Sequence, residues 1–336
     1  MARPTVDSAP PTRDFWGLTA FFDTSASPLV LANLHRTSQR VRQQGLPLAI
    51  VELAFDDAPY RVPDAWADLV VRRRSRAVLW QKERLLNLGV AELPAACRFV
   101  AWIDGDVLFE NDDWVAQTRA ALERAPVVQP FTVAAWLDEG ATTAPEGRPR
   151  GMGEGHEMPG FGHTLDGAAD RAETLAHFDR HGHPGFAWAA ERDLLATHGL
   201  YDRAVLGGGD FIAAHAFAAD RAYLRGRHWV SRDLTPLERK AIAAWGEPVA
   251  EATGGRIGWT PGRLLHQFHG ANAGRRYMAR MQILRDAHYD PMTDIAVDAD
   301  GCWTWASDKP ALHAAVREYF AERASMVPAP ADRVPA

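Results

Sequence analysis

The stretch Phe99-Val100-Ala101-Trp102-Ile103-Asp104-Gly105-Asp106 decides the fold. Five apolar residues in a row read as a strand buried on both faces, and the run ends abruptly in two carboxylates. In open α/β sheets ligands bind beyond the carboxyl ends of the strands. Two acidic groups at that edge repel one another unless a cation or a metal-bound diphosphate compensates them. The period-two spacing suits a divalent ion, with one carboxylate directed at it and the other at a ribose or a water.

Working outward, the neighbouring segments alternate in type. Upstream, residues 18–22 form a short apolar run that stops at Asp23-Thr24-Ser25. Residues 29–44 have helical spacing and end at Gly45-Leu46-Pro47, and 48–55 read as a second strand closed by Asp56-Asp57. Residues 77–90 read as a helix. Downstream come a helix over 114–124, a strand from 127 to 131, a strand-like run over 185–190 and helices over 192–198 and 210–219. Another helix opens at Thr235-Pro236 and is expected to stop after Trp245, at Gly246 and Pro248. Such alternation predicts an α/β fold with a mainly parallel, doubly wound sheet flanked by helices.

Four stretches fall outside that rhythm. Residues 138–184 are dominated by Gly, Pro, Glu and His and read as a flexible lid or binding loop. Residues 281–326 form a C-terminal extension, with a hairpin turning on Asp300-Gly301 and an amphipathic helix that opens at Pro310. Residues 1–14 and 327–336 are expected to be disordered, leaving 15–280 as the main domain.

Composition bounds the function. At 336 residues with 47% hydrophobic and 24% charged content the chain builds an ordinary globular core. A net charge of −6 argues against gripping nucleic acid by phosphate neutralisation alone. Two cysteines, Cys97 and Cys302, in apolar surroundings make neither a disulfide framework nor a thiolate metal site. No apolar run is long enough to span a membrane, and the polar, proline-rich N-terminus lacks a signal-peptide core, so a cytoplasmic location is expected.

Three further motifs carry chemistry. His266-Gln267-Phe268-His269-Gly270 allows two imidazoles to reach one ion, and an Asp plus two His leaves positions on Mn²⁺ or Mg²⁺ for diphosphate oxygens. Gly207-Gly208-Gly209-Asp210 brings backbone close to a ligand and starts a helix with a carboxylate. His183-Pro184-Gly185-Phe186-Ala187-Trp188 offers aromatic faces of the kind that pack on sugar rings, although Phe186 reads equally well as core. A second Asp-x-Asp, Asp298/Asp300, sits in the Asp-Gly turn and serves backbone geometry.

Taken together, the stretches LWQKERLLNLGVAELPAACRFVAWIDGDVLFENDDW, HPGFAWAAERDLLATHGLYDRAVLGGGDFIAAHAF and LLHQFHG resemble GT-A glycosyltransferases. The first is similar to their donor half with its DxD motif, the second to the acceptor half of galactosyltransferases, and the third to their last metal ligands. The resemblance implies a metal-dependent transfer, expected to be inverting, from a nucleotide sugar (UDP-sugar above all) to an acceptor hydroxyl on a glycan, protein, lipid or modified nucleic acid. It makes Asp106, His266 and His269 the ligands of Mn²⁺ or Mg²⁺, and gives Asp104 the ribose or a metal-bound water. Asp57 would face the uracil, Arg76 or Lys82 the nucleotide, and Trp188, Gly208 and Gly209 the sugars. Asp210 would be the general base. Two other readings stand beside it. One is a different metal enzyme, a hydrolase or nucleotidyltransferase, using His156, His163, His181 and His183. The other is a non-catalytic nucleotide- or sugar-binding module.

Overall fold

The computed structural model describes residues 14–228, 231, 233–270 and 279–327. The chain begins β1 (Phe15–Phe22), α1 (Pro28–Gln43), β2 (Leu48–Phe55), β3 (Leu69–Ser75), α2 (Lys82–Glu92) and β4 (Phe99–Ile103). Next come β5 (Val107–Phe109), α3 (Trp114–Leu122), β6 (Val127–Gln129), β7 (Val133–Trp136), β8 (Glu157–Pro159), α4 (Phe161–Asp166) and α5 (Arg171–Leu175). The second half holds β9 (Ala187–Glu191), α6 (Arg192–His198), α7 (Gly209–Phe217), α8 (Arg221–Leu224), α9 (Pro236–Thr253), β10 (Ile257–Trp259) and β11 (Arg263–His266). It closes with α10 (Ala279–Asp286), β12 (Ile295–Val297), β13 (Trp303–Trp305) and α11 (Pro310–Ser325).

A seven-stranded sheet in the order β10-β6-β9-β4-β1-β2-β3 forms the centre, and every pairing in it is parallel except the two made by β9. The unbroken apolar runs of β2 and β4 follow from coverage on both faces. Val100 and Trp102 point into one core with Leu85, Leu86 and Val90 of α2. Phe99, Ala101 and Ile103 point into the other with Leu34 and Val41 of α1. Strand alternation divides β4 between two layers, and at its carboxyl end the chain emerges with Asp104.

Beside this end lies a smaller sheet, β5-β11-β7-β8. β11 pairs antiparallel with β5, so that His266 faces Val107, and parallel with β7, so that it also faces Trp136. Register therefore delivers His266 to the residue next to Asp106.

Several sequence expectations change. α2 begins at Lys82, not 77, because Ala77 and Leu79 run into a separate core under the C-terminal extension, with Val205, Leu206, Leu284, Tyr289 and Val316. α9 does not stop at Gly246 and Pro248 but continues to Thr253. Pro248 forfeits one helical hydrogen bond, yet Ile242, Val249 and Ala250 remain buried in the main core, and that packing outweighs the loss. Residues 138–184 contain β8, α4 and α5, and Phe161, Leu165 and Leu175 anchor them in the core. The hairpin is seen as read: Asp298 Oδ1 accepts from Asp300 N at 3.0 Å and Cys302 N at 2.8 Å. Of the expected disordered ends, residues 1–13 and 328–336 lie outside the described residues, while Asp14 pairs with Arg119 at 2.6 Å.

Candidate active site

Beyond the carboxyl end of β4 is a cavity of about 670 Å³, and Asp104, Asp106, Asp210, His266 and His269 all line it. Among the described residues, Asp106, His266 and His269 are the one group of three or more acidic, His or Cys side chains whose ligand atoms converge, all within 4.8 Å of one another. Asp106 Oδ2 lies 3.5 Å from His266 Nε2 and 3.1 Å from His269 Nε2. Burial pushes the Asp106 carboxyl up, but the two imidazoles outweigh it and hold the group well below the usual carboxylate range. One carboxylate and two imidazoles form a donor set that fits Mn²⁺ better than Mg²⁺, which prefers oxygen throughout.

The segment carrying both histidines is tied down by the residue between them. Gln267 N–H donates to Asp106 O at 2.7 Å. Gln267 Nε2 donates to Asn33 O at 3.1 Å and Thr37 Oγ1 at 3.0 Å, and Oε1 accepts from Arg36 Nε at 2.7 Å. Thus α1, the DxD turn and the HxxH form one hydrogen-bonded unit. The sequence reading missed Gln267, and a polar residue enclosed by two candidate ligands was the signal for it. Phe186 completes the support. Its ring stacks on His183 at 4.1 Å and on His266 at 4.8 Å, and its backbone takes a left-handed φ of 78°, a strained conformation typical of functional loops.

A second cluster lies alongside. Lys82 Nζ donates to Asp104 Oδ1 at 2.7 Å and to both oxygens of Asp210 at 2.9 Å. Burial works against the ammonium, but Asp104, Asp210 and Glu83 overcome it and raise the Lys82 pKa above its ordinary value. Burial pushes Asp104 up to about 7 against the pull of Lys82, with Asp210 and Asp106 adding to the rise. Glu83, also missed, is driven by burial up to about 8; its Oε2 accepts from Trp80 Nε1 at 2.9 Å. Glu83 went unnoticed because the helix was read as starting at 77, which placed it mid-helix instead of at the first turn.

The Gly-rich turn fits this cluster and not only a ligand. A Cβ on Gly209 would sit 2.3 Å from Glu83 Cδ, so Gly209 makes room for a protein side chain. Gly207 and Gly208, with φ of 86° and 103°, line the cavity and turn the chain into α7, which presents Asp210.

Three expected site residues lie elsewhere. Asp57 and Arg76 are exposed and do not line the cavity: Asp57 lies in the turn after β2, and Arg76 directly follows β3. Trp188 is core, 1% exposed, because β9 pairs it with Trp102 and its Nε1 donates to Pro184 O at 2.8 Å. Lys82 reaches the cavity as expected, but its described partners are carboxylates. The lid histidines do not assemble a metal site: His181 is buried against His215 and Phe161, and His163 packs on Trp259. No helix among the described residues is long and apolar enough to cross a membrane.

No family model and no curated protein matches the chain. Among solved structures it is similar to glucosyl-3-phosphoglycerate synthase from Mycobacterium tuberculosis in complex with Mn²⁺, UDP-glucose and phosphoglyceric acid: 12% identity, 82% of this chain and 80% of that chain covered, TM-score 0.37. A Drosophila β-1,4-galactosyltransferase 7 mutant with manganese, UDP-Gal and xylobiose is also similar, with 10% identity, 89% and 98% coverage and a TM-score of 0.42. So is 4-diphosphocytidyl-2C-methyl-D-erythritol synthase from Anaerococcus prevotii, with 12% identity, 74% and 90% coverage and a TM-score of 0.34.

Proposed function

We propose that this chain is a metal-dependent glycosyltransferase that moves a sugar from a nucleotide-sugar donor, a UDP-sugar in the first instance, to an acceptor hydroxyl with inversion. The observation that carries the reading is the convergence of Asp106, His266 and His269 at the end of β4, in the cavity that also receives Asp210. Mn²⁺ held by those three side chains would neutralise the charge that gathers on the leaving diphosphate. Asp104, at the adjacent position, would hold the donor ribose. Asp210 would take the proton from the acceptor hydroxyl as that oxygen attacks the anomeric carbon from the face opposite the leaving group. Lys82 Nζ bonds both oxygens of Asp210 as well as Asp104, so in this mechanism Lys82 keeps Asp104 and releases one oxygen of Asp210 to the acceptor.

A screen of nucleotide sugars for Mn²⁺-dependent release of free nucleotide tests the reading. One donor should turn over, EDTA should stop it, and the product should have the anomeric configuration opposite to the donor. Asp210→Asn should lower kcat by on the order of 10²–10⁴ with donor KM little changed. Undiminished turnover in EDTA, or release of pyrophosphate in place of the nucleotide, would give the site to another chemistry.

A further inference from the structure

Directly after Asp210 the cavity wall turns apolar. Phe211 follows it in α7, and Phe178 of the 138–184 segment, Leu234 ahead of α9 and Met281 of α10 line the same space. All four are only half-buried. Phe178 and Phe211 sit side by side, with ring centroids 6.2 Å apart and planes inclined by 27°. Large apolar side chains left open inside a cavity, and not folded into the core, are surface kept for a ligand.

The two rings rest on a buried imidazole cluster that the metal site does not use. The His181 ring lies 5.3 Å from Phe178 and 5.5 Å from Phe211, and His215 tilts against Phe211 at 4.2 Å. Tyr223 adds an edge contact to Phe211 at 5.4 Å. Both histidines are fully buried; His181 Nδ1 donates to Gly182 O at 2.7 Å, and His215 Nδ1 to Asp220 Oδ2 at 2.7 Å. Burial lowers both imidazoles, His181 to about 4, so they are neutral at pH 7 and put no charge against the rings. The carboxylates flanking Leu234 serve other groups: Asp233 pairs with Arg285 at 3.0 Å, and Glu238 accepts from Thr235 N at 2.8 Å in a capping box. The charge and hydrogen bonds that a diphosphate and a ribose require come from Asp104, Asp106, His266 and His269, which leaves the rings to the acceptor. A polyhydroxylated body set against them would lose water contacts, whereas a flat apolar ring gains by leaving water and packs on their faces.

We infer that Phe178 and Phe211, with Leu234 and Met281, form an acceptor subsite for a flat apolar ring, so that the acceptor is an aryl compound with its hydroxyl on or beside the ring. The hydroxyl meets Asp210 while the ring lies against Phe211, the next residue. This deepens the glycosyltransferase reading of the same cavity and rests on it.

The experiment is calorimetric titration of the full chain in EDTA with 2-naphthol, with its saturated counterpart decahydro-2-naphthol, and with glucose. UDP with Mn²⁺ is titrated in parallel. Naphthol should bind wild type about tenfold more tightly than either comparator. Phe178→Leu and Phe211→Leu keep apolar volume but remove the flat face. Each should weaken naphthol binding about fivefold while UDP–Mn²⁺ affinity stays within about twofold. Should the Phe211 variant fail to fold, Phe178→Leu decides alone. Naphthol binding that is absent, or equal in wild type and both variants, overturns the subsite. Glucose binding as tightly as naphthol also overturns it, by giving the rings to a sugar acceptor. Equally tight binding of the saturated alcohol does the same, by removing the need for a flat ring. Equal weakening of UDP–Mn²⁺ overturns it too, by giving the rings to the donor. If UDP–Mn²⁺ fails to bind wild type while naphthol keeps its dependence on the two phenylalanines, the subsite stands and the donor reading falls.

Discussion

Asp104 and Asp106 stand two residues apart at one strand end, yet their surroundings treat them in opposite ways. Around Asp106 are two imidazoles that hold its carboxyl well below the ordinary range, with donor atoms converging on a point where a cation fits. Around Asp104, burial raises the carboxyl to about 7, and the compensating charge is the protein's own Lys82, shared with Asp210. One end of the cavity is built to receive its positive charge and the other carries it from the start. The difference separates residues whose loss disables the site from residues whose loss endangers the fold.

The sharpest test of this contrast is Lys82→Met. It leaves Asp104, Asp210 and Glu83 crowded without their ammonium, and stability measured by urea unfolding at pH 7 should fall by about 3–5 kcal/mol. A loss under about 1 kcal/mol would mean that water screens the cluster well and that the two ends do not differ. Asp106→Asn should do the reverse. Mn²⁺ affinity by calorimetry should drop on the order of 10²-fold or more, while stability in EDTA stays within about 1 kcal/mol of wild type.

Glu83 sharpens the comparison through pH. Its carboxyl holds a proton more tightly in the folded chain (about 8) than its ordinary value of 4.5, so it favours folding at low pH and that contribution is lost as pH rises through this window. Stability of wild type relative to Glu83→Gln should therefore decline from pH 5 to pH 8. A flat difference would show that Lys82 keeps Glu83 ionised throughout. The smallest effect is expected from Asp57→Ala and Arg76→Ala. Both side chains are exposed and outside the cavity, so UDP–Mn²⁺ affinity should change less than about twofold. A larger change would return the nucleotide to the β2 and β3 ends.

What was legible in the sequence was what a single element can specify. β2 and β4 were read to the residue because unbroken apolar runs have one explanation, burial on both faces. Asp104 and Asp106 were legible as the end of such a run, and Asp210 as a carboxylate after a Gly-rich turn. What was not legible depends on register between elements distant in the chain. The smaller sheet was missed because β5, β7, β8 and β11 are three or four residues each, too short to show a period, and only their pairing brings His266 beside Asp106. Lys82 was legible as a site residue, but not its bond to Asp210, which depends on α2 starting later than its helical pattern suggests. Trp188 misled because an aromatic beside Gly and Pro reads as exposed, whereas β9 inserts it opposite Trp102.

That insertion has a consequence in time. β4 gains its first neighbour, β1, as soon as it is made, but its second, β9, follows only after everything from β5 to α5 has been synthesised. Until then the strand bearing Asp104 is an open apolar edge, a template for pairing with another chain. Asp210, His266 and His269 all come later still. A nascent chain therefore holds its acidic pair at a sticky edge with Lys82 but without Asp210 and the two histidines, and synthesis through Ala187–Glu191 is the step that closes the edge.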